Sequence, residues 1–276
     1  MTRDLEIISV GNELLIGKVL NTNAQWLAKR ATNLGITVKR VTVVRDDVDE
    51  TARAIRETLK RKPQFVVTTG GLGPTFDDKT LESIAKALKR RLKVNQVALE
   101  MVKEKYQTYA SKKGSNSCAE LTQPQVKMAT TPENAEPIRN PLGTAPAVRI
   151  DLKDTILIAL PGVPREMEAI FDGSVAPMLK SASCGICFHE TSLYVDNIME
   201  SALAPLIDRV MHDNSGIYVK SHPRGAENKP HMEIHFSMIA ADEAGPQKTL
   251  QKALAQLSDL ITRNDGEVFL EKQVTR

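Results

Sequence analysis

Cysteine is scarce, three in 276 residues, so no disulfide framework holds this chain together. Cys184-Gly185-Ile186-Cys187-Phe188-His189 has no second cysteine pair beside it, Cys118 being far off in sequence, so a structural zinc site is not read here. Aromatic residues make up only 4%, which calls for an aliphatic core and argues against a platform that stacks single-stranded bases. The net charge of +3 is too weak to imply a nucleic-acid partner. No apolar run reaches membrane-spanning length, and Met1-Thr2-Arg3-Asp4 does not open a signal peptide. A cytoplasmic protein with no membrane partner is expected.

What is present is the profile of a globular protein, 41% apolar and 26% charged, long enough for one large domain or two ordinary ones. Its most informative stretch runs from Val66 to Asp78, Val-Val-Thr-Thr-Gly-Gly-Leu-Gly-Pro-Thr-Phe-Asp-Asp. An unbroken β-branched run reads as a buried strand. Gly70, Gly71 and Gly73 with Pro74 make the turn that follows. Thr75 then reads as a helix N-cap with Asp78 completing a carboxylate capping box, ahead of Leu81, Ile84, Ala85 and Leu88 at helical spacing. A strand, a glycine turn and a helix start present backbone N–H groups to an anion. Asp77 and Asp78 would repel a bare phosphate, but suit one bridged by a divalent cation.

The order around this stretch predicts a parallel α/β sheet with helices on both faces. Leu5 to Val10 reads as a strand ending at Gly11, and Gly11 to Gly17 as a loop carrying Glu13. Asn21-Thr22-Asn23 offers N-caps for a helix ending at Gly35. Ile36 to Val44 is the second strand, ending at Arg45-Asp46-Asp47, and Asp49 is expected to cap the next helix. In such sheets ligands bind beyond the carboxyl ends of the strands. Glu13, Asp46, Asp47, Asp77 and Asp78 should therefore share one edge with the glycines.

Lys86, Lys89, Arg90, Arg91 and Lys93 form a basic run read as a solvated helix end. Val97 to Tyr109 reads as a helix, Gly114-Ser115-Asn116-Ser117 as a loop with the composition of a lid, and Thr130 to Pro146 as irregular chain. Val148 to Ile150 and Thr155 to Leu160 form a hairpin that runs through Pro161 and Gly162 into a helix opened by Pro164. The composition shifts near Ser181. Beyond it the pattern is βαββαβ, a small α+β unit whose first helix should bend or break at Pro205. The domains expected are 1–180 and 181–276.

Four segments appear in order: Val10-Gly11-Asn12-Glu13-Leu14-Leu15-Ile16-Gly17; Gly70-Gly71-Leu72-Gly73-Pro74-Thr75 with Asp77-Asp78; Asn140-Pro141 with Gly143-Thr144-Ala145-Pro146; and Leu160-Pro161-Gly162-Val163-Pro164 with Glu166-Met167. Together they resemble the competence/damage-inducible protein CinA family. The resemblance implies a MoaB/MogA-like molybdopterin-binding fold for the first domain and a KH-like unit for the second. The further amide hydrolase domain usual in bacterial CinA proteins finds no room before Arg276, so deamidase activity is not expected. Ala147 stands where the family often has glycine.

The resemblance also implies a metal-dependent pyrophosphatase that cleaves ADP-ribose or a related dinucleotide such as FAD into two monophosphates. Mg, Mn or Co would serve, with a monovalent cation as a possible addition. Asp46, Asp77 and Asp78 are the expected metal ligands. Glu13, Asp78 and Glu166 are open alternatives for positioning the water. Gly11, Asn23, Gly70, Gly71, Gly73, Pro74, Thr75, Asn140, Gly143, Thr144, Pro161 and Gly162 are the expected ligand contacts. The alternative is a module that binds molybdopterin or a nucleotide without cleaving it. No GXXG loop marks the second domain as a nucleic-acid clamp. A homo-oligomer, dimer or trimer, is expected.

Overall fold

The structure is a computed structural model. It describes residues 4–112, 120–224, 231–241 and 244–269. The lid-like loop expected at Gly114 to Ser117, and Cys118, lie outside the described residues. The chain divides into two units, residues 1–32 with 36–182 and residues 33–35 with 183–276.

In the first unit β1 (Asp4–Val10) is buried from Leu5 onward. It leads through α1 (Asn12–Leu15) and α2 (Thr22–Asn33) to β2 (Thr37–Val44). Then come α3 (Val48–Lys60), β3 (Phe65–Thr69), α4 (Thr80–Leu88), β4 (Leu92–Val94) and α5 (Gln96–Lys112). After these follow α6 (Gln123–Met128), β5 (Thr130–Pro132), β6 (Glu136–Ile138), β7 (Ala147–Asp151), β8 (Ile156–Leu160) and α7 (Pro164–Ile170). A π-helical turn over Phe171–Val175 joins α7 to α8 (Ala176–Ser183).

Six strands form one mixed sheet in the order β2-β1-β3-β8-β7-β6. β2, β1, β3 and β8 are mutually parallel, whereas β7 is antiparallel to both β8 and β6. β1, β3 and β8 are buried almost throughout, as interior strands covered on both faces are. β2 is the sheet edge. Val41 is exposed and only Val44 is fully buried, while Lys39 and Arg40 keep the open edge charged. The core is aliphatic, centred on Ile8, Ile55, Val66, Ile84, Ile150 and Leu157.

Several local expectations are corrected. The N-cap of α3 is Asp47, whose Oδ1 accepts from the N–H groups of Asp49 and Glu50 at 2.9 and 2.8 Å; Asp49 itself pairs with Lys86. Residues Thr130 to Pro146 are not wholly irregular. β5 pairs with β4, and β6 with β7, but each is too short to show a period. Helix α6, too short to show a helical period in sequence, opens on a capping box that Thr122 and Gln125 close over Pro124. The basic run does face water, as expected: Lys86, Lys89, Arg91 and Lys93 are exposed, with Arg91 and Lys93 pairing at the surface with Glu133 while Arg90 donates to the Glu133 carbonyl.

The second unit follows the βαββαβ order: β9 (Cys187–Asp196), α9 (Glu200–Asp213), β10 (Ile217–Pro223), β11 (His231–Ala240), α10 (Ala244–Thr262) and β12 (Glu267–Phe269). Its strands pair antiparallel in the order β10-β11-β9-β12. The inward residues Leu193, Val195, Ile234 and Phe236 pack with Leu203, Ile207, Leu250 and Leu257 of the helices. Helix α9 continues through Pro205, which removes only the one bond back to the carbonyl of Ser201 near the helix start. Among the described residues no helix is long and apolar enough to cross a membrane.

Candidate functional site

Because β2, β1, β3 and β8 run in parallel, their carboxyl ends meet at one edge of the sheet. The chain leaves β1 toward β2 on one side, while β3 lies on the other, so the crevice between β1 and β3 is a topological switch point. A cleft of about 440 Å³ lies there. The loop after β1 supplies Gly11 and Glu13, the end of β2 supplies Asp46, and the start of α2 supplies Asn23. Gly70, Gly71, Gly73, Pro74, Asp77 and Asp78 follow β3, Thr144 comes from the loop before β7, and Pro161, Gly162 and Glu166 follow β8. Thr75, Asn140 and Gly143 are not on the cleft wall.

The glycines at the end of β3 first serve the packing of the strand ends. Gly70 has φ +103°, and a Cβ on it would sit 2.2 Å from the Val10 carbonyl oxygen. Its N–H donates to the Leu160 carbonyl at 3.1 Å, so this amide, expected to hold a phosphate, is already spent on β8. Gly71, at φ +67°, leaves room for the Thr80 hydroxyl, which donates to the Gly70 carbonyl at 2.8 Å. Gly71 and Gly73 are left as the glycine amides of this loop without a partner among the described residues, and these a ligand could take. Gly70→Ala is therefore expected to destabilise the first unit by about 2 kcal/mol or more through backbone strain. A urea midpoint unchanged from wild type would contradict this.

Helix α4 starts at Thr80, and Lys79 precedes it without a side-chain cap. Thr75 thus does not cap it. The Thr75 hydroxyl instead meets Asp77 Oδ1 and, at 2.6 Å, Asp78 Oδ2, and the Thr75 N–H donates to Asp78 Oδ2 at 2.8 Å. One hydroxyl proton thus faces two carboxylates. The Thr75 hydrogen bond, the backbone N–H of Asp77 and the nearby charges of Lys127 and Lys79 together hold the Asp77 carboxyl below the ordinary carboxylate range, against a weaker opposing effect of desolvation. Lys127 was not anticipated, since no motif surrounds it; its Nζ donates to the Thr75 carbonyl and clamps the turn from α6.

Two further carboxylates are held by single donors. Asp46 Oδ2 accepts the Asn12 N–H at 2.8 Å, joining the β2 end to α1. Glu166 Oε2 accepts from Asn140 Nδ2 at 2.7 Å. Asn23 spans two strand ends, donating to Thr69 Oγ1 at 3.1 Å and to the Gly162 carbonyl at 2.8 Å, while its Oδ1 is buried without a partner. Asn21, which caps α2 by accepting the Ala24 N–H at 3.2 Å, also lines the cleft, as do Thr22 and the exposed apolar residues Val19, Leu20 and Val163. The Asn21-Thr22-Asn23 capping signal would have located the first of these, had the helix start been placed on the cleft edge.

The donor set can be tested against a divalent cation. Among the described residues no group of three or more His, Cys, Asp or Glu side chains is placed to hold a metal by itself. Asp77 and Asp78, converging on a single proton donor, do fit a cation that takes its other oxygens from a phosphorylated ligand and water. The residues present fit a metal carried in with its ligand rather than one caged by the chain alone.

Residues 6–181 match the family described as "Probable molybdopterin binding domain". The chain is 39% identical over 265 residues to a protein of Sulfurisphaera tokodaii, covering 96% of this chain and 97% of that one. It is 43% identical over 261 residues to a protein of Pyrobaculum arsenaticum, covering 94% and 95%. Among solved structures it is similar to "the protein CinA with unknown function" from Thermoplasma acidophilum, with 41% identity and a TM-score of 0.58 over 64% of this chain and 98% of that chain.

Proposed function

Given that the chain belongs to the probable molybdopterin-binding domain family and is CinA-like, we propose that its cleft binds a diphosphate-bridged nucleotide, ADP-ribose or a relative such as FAD. We further propose that it hydrolyses the pyrophosphate bond to two monophosphates with the help of a divalent cation. The observation that carries the reading is the meeting of four carboxyl-end loops in one cleft, where Glu13, Asp46, Asp77, Asp78 and Glu166 line the same space as Gly71 and Gly73.

A pyrophosphate arrives negatively charged, and its cleavage adds charge to the leaving phosphate. Gly71 and Gly73 N–H groups would hold phosphate oxygens beside the acids. Asp77 and Asp78 would hold the cation, which when bound neutralises phosphate charge and polarises the phosphorus. Asp46, expected as a third ligand, instead accepts the Asn12 N–H and is not grouped with Asp77 and Asp78 around a metal position among the described residues. The family description also favours a second reading, binding of a pterin without cleavage, because such a ligand would use the same glycine turn.

Calorimetric titration of the full chain with ADP-ribose, FAD and molybdopterin, with and without Mg²⁺, Mn²⁺ or Co²⁺, separates the two. The pyrophosphatase reading expects the dinucleotides to bind and, in the same titration mixtures, AMP to be released only with metal. Saturable, metal-independent binding of the pterin alone would favour the second reading.

A further inference from the structure

We propose that Glu166 is the carboxylate that positions the attacking water, and that Asn140 and Gly143 are positioning residues forming the socket that aims it. The proposal rests on the pyrophosphatase reading above and chooses among the three acids that reading leaves open.

The three acids are held differently. Asp78 Oδ2 already accepts both the N–H and the hydroxyl of Thr75, which commits it to the turn that would carry the cation. Glu13 is exposed; a Cβ on Gly11 would meet its carboxylate just as one on Gly143 would meet that of Glu166, but among the described residues no hydrogen bond orients it. Glu166 is half-buried on the cleft wall and oriented by one neutral donor, Asn140, and no cation pairs with it among the described residues. A carboxylate oriented through one oxygen by a neutral amide keeps its other oxygen to accept a proton.

Asn140 is only 3% exposed. Its amide donates to Glu166 Oε2 at 2.7 Å and to the Ala145 carbonyl at 2.9 Å, while its Oδ1 accepts the N–H groups of Leu142 and Gly143 at 3.0 and 2.8 Å. Two donors facing one end and two acceptors facing the other fix the orientation of the amide. From outside, Lys105 donates to the Pro141 carbonyl at 2.6 Å and the Tyr109 hydroxyl to that of Leu142 at 3.3 Å, so α5 holds the loop against Glu166.

Gly143 explains the remaining space. Its φ is not left-handed, so the backbone does not require glycine there. A Cβ on Gly143 would lie 1.9 Å from Glu166 Oε2, and its three nearest atoms would all belong to that carboxylate. The missing side chain is the notch in which the acid sits. In the step this implies, the water oxygen bonds to phosphorus and the bond from that phosphorus to the bridging oxygen breaks. The water proton passes to Glu166, and the second phosphate leaves with the bridging oxygen.

The test uses the full chain with ADP-ribose and Mg²⁺ or Mn²⁺. Glu166→Gln is expected to lower kcat about 100-fold or more, the low end of what a positioned base contributes. KM should stay within about twofold, and calorimetric binding of ADP-ribose should be kept. Gly143→Ala, whose new methyl meets the carboxylate first, and Asn140→Ala are each expected to lower kcat about tenfold with KM held. Should Asn140→Ala fail to fold, Gly143→Ala decides. Wild-type kcat in Glu166→Gln, or a loss seen in KM alone, overturns the proposal. If wild type turns over and Asp78→Asn does not, but Glu166→Gln does, this inference fails and the pyrophosphatase reading stands. If wild type releases no product with either metal, both fail.

Discussion

Replacing Asp78 with asparagine is expected to lower kcat/KM for ADP-ribose by about 100- to 1,000-fold while leaving the unfolding transition of the chain where it was. The size is that of removing one group aimed at transition-state charge. The physical reason is local. Asp78 Oδ2 accepts two bonds from Thr75, and the side-chain carbonyl of asparagine can go on accepting them, so the turn keeps its shape. What is lost is the negative charge that, with Asp77, makes the turn a place for a cation. Steady-state kinetics over a range of Mn²⁺ concentrations checks this. A variant that reaches the wild-type rate at the same metal concentration would contradict it.

The largest effect on stability is expected far from the cleft, at Glu6 and Arg61. Glu6 is 4% exposed on the interior strand β1. Arg61, one residue past α3, grips it with two parallel hydrogen bonds, Nε to Oε1 at 2.7 Å and Nη2 to Oε2 at 2.5 Å, and its second contact is Thr58 Oγ1. The hydrogen bonds it donates to Glu6 hold the guanidinium pKa above its ordinary value against the cost of desolvation. Arg61→Ala strands a buried carboxylate and is expected to cost about 3 kcal/mol, the low end for a broken buried pair because the arginine side chain is one-third exposed. Replacing both partners by apolar residues, Glu6→Leu with Arg61→Met, should cost less than Arg61→Ala alone. Urea unfolding of the single and double variants decides it. A loss under 1 kcal/mol for the single change would show that the pair contributes little.

The main features of the fold were readable because they depend on long signals. The β-branched run before Gly70 announced β3 as a buried strand, and the glycine stops after Val10 and Thr69 announced the loops that share an edge. What failed depended on choices a sequence does not state. Thr75 and Asp78 have the spacing of a capping box, but the same spacing closes a turn in which the hydroxyl serves Asp77 and Asp78. Asp47 and Asp49 are equally good caps until the end of β2 is fixed. Asn140 looks like a ligand contact in a Pro/Gly loop, and nothing in its neighbours says that it backs the wall and faces Glu166. Gly70 shows the same limit. Its type indicated a close backbone approach, but the approach is to the Val10 carbonyl, and its amide is taken by β8.

That reassignment alters how the site is understood. Several glycines of the motifs make room for the molecule's own groups: Gly73 for Asp78, Gly143 for Glu166, and Gly71 for the Thr80 hydroxyl. The cleft is thus built around its acids as much as around an incoming phosphate. This suits hydrolysis, in which carboxylates must be held at fixed points before the ligand arrives.

The most direct measurement is the product formed from ADP-ribose by the purified full chain, followed by chromatography with Mn²⁺ and again after chelation. The account predicts AMP and a sugar monophosphate in equal amounts with metal, and neither after chelation. Saturable binding of ADP-ribose with no AMP formed under any of the three divalent ions would contradict it.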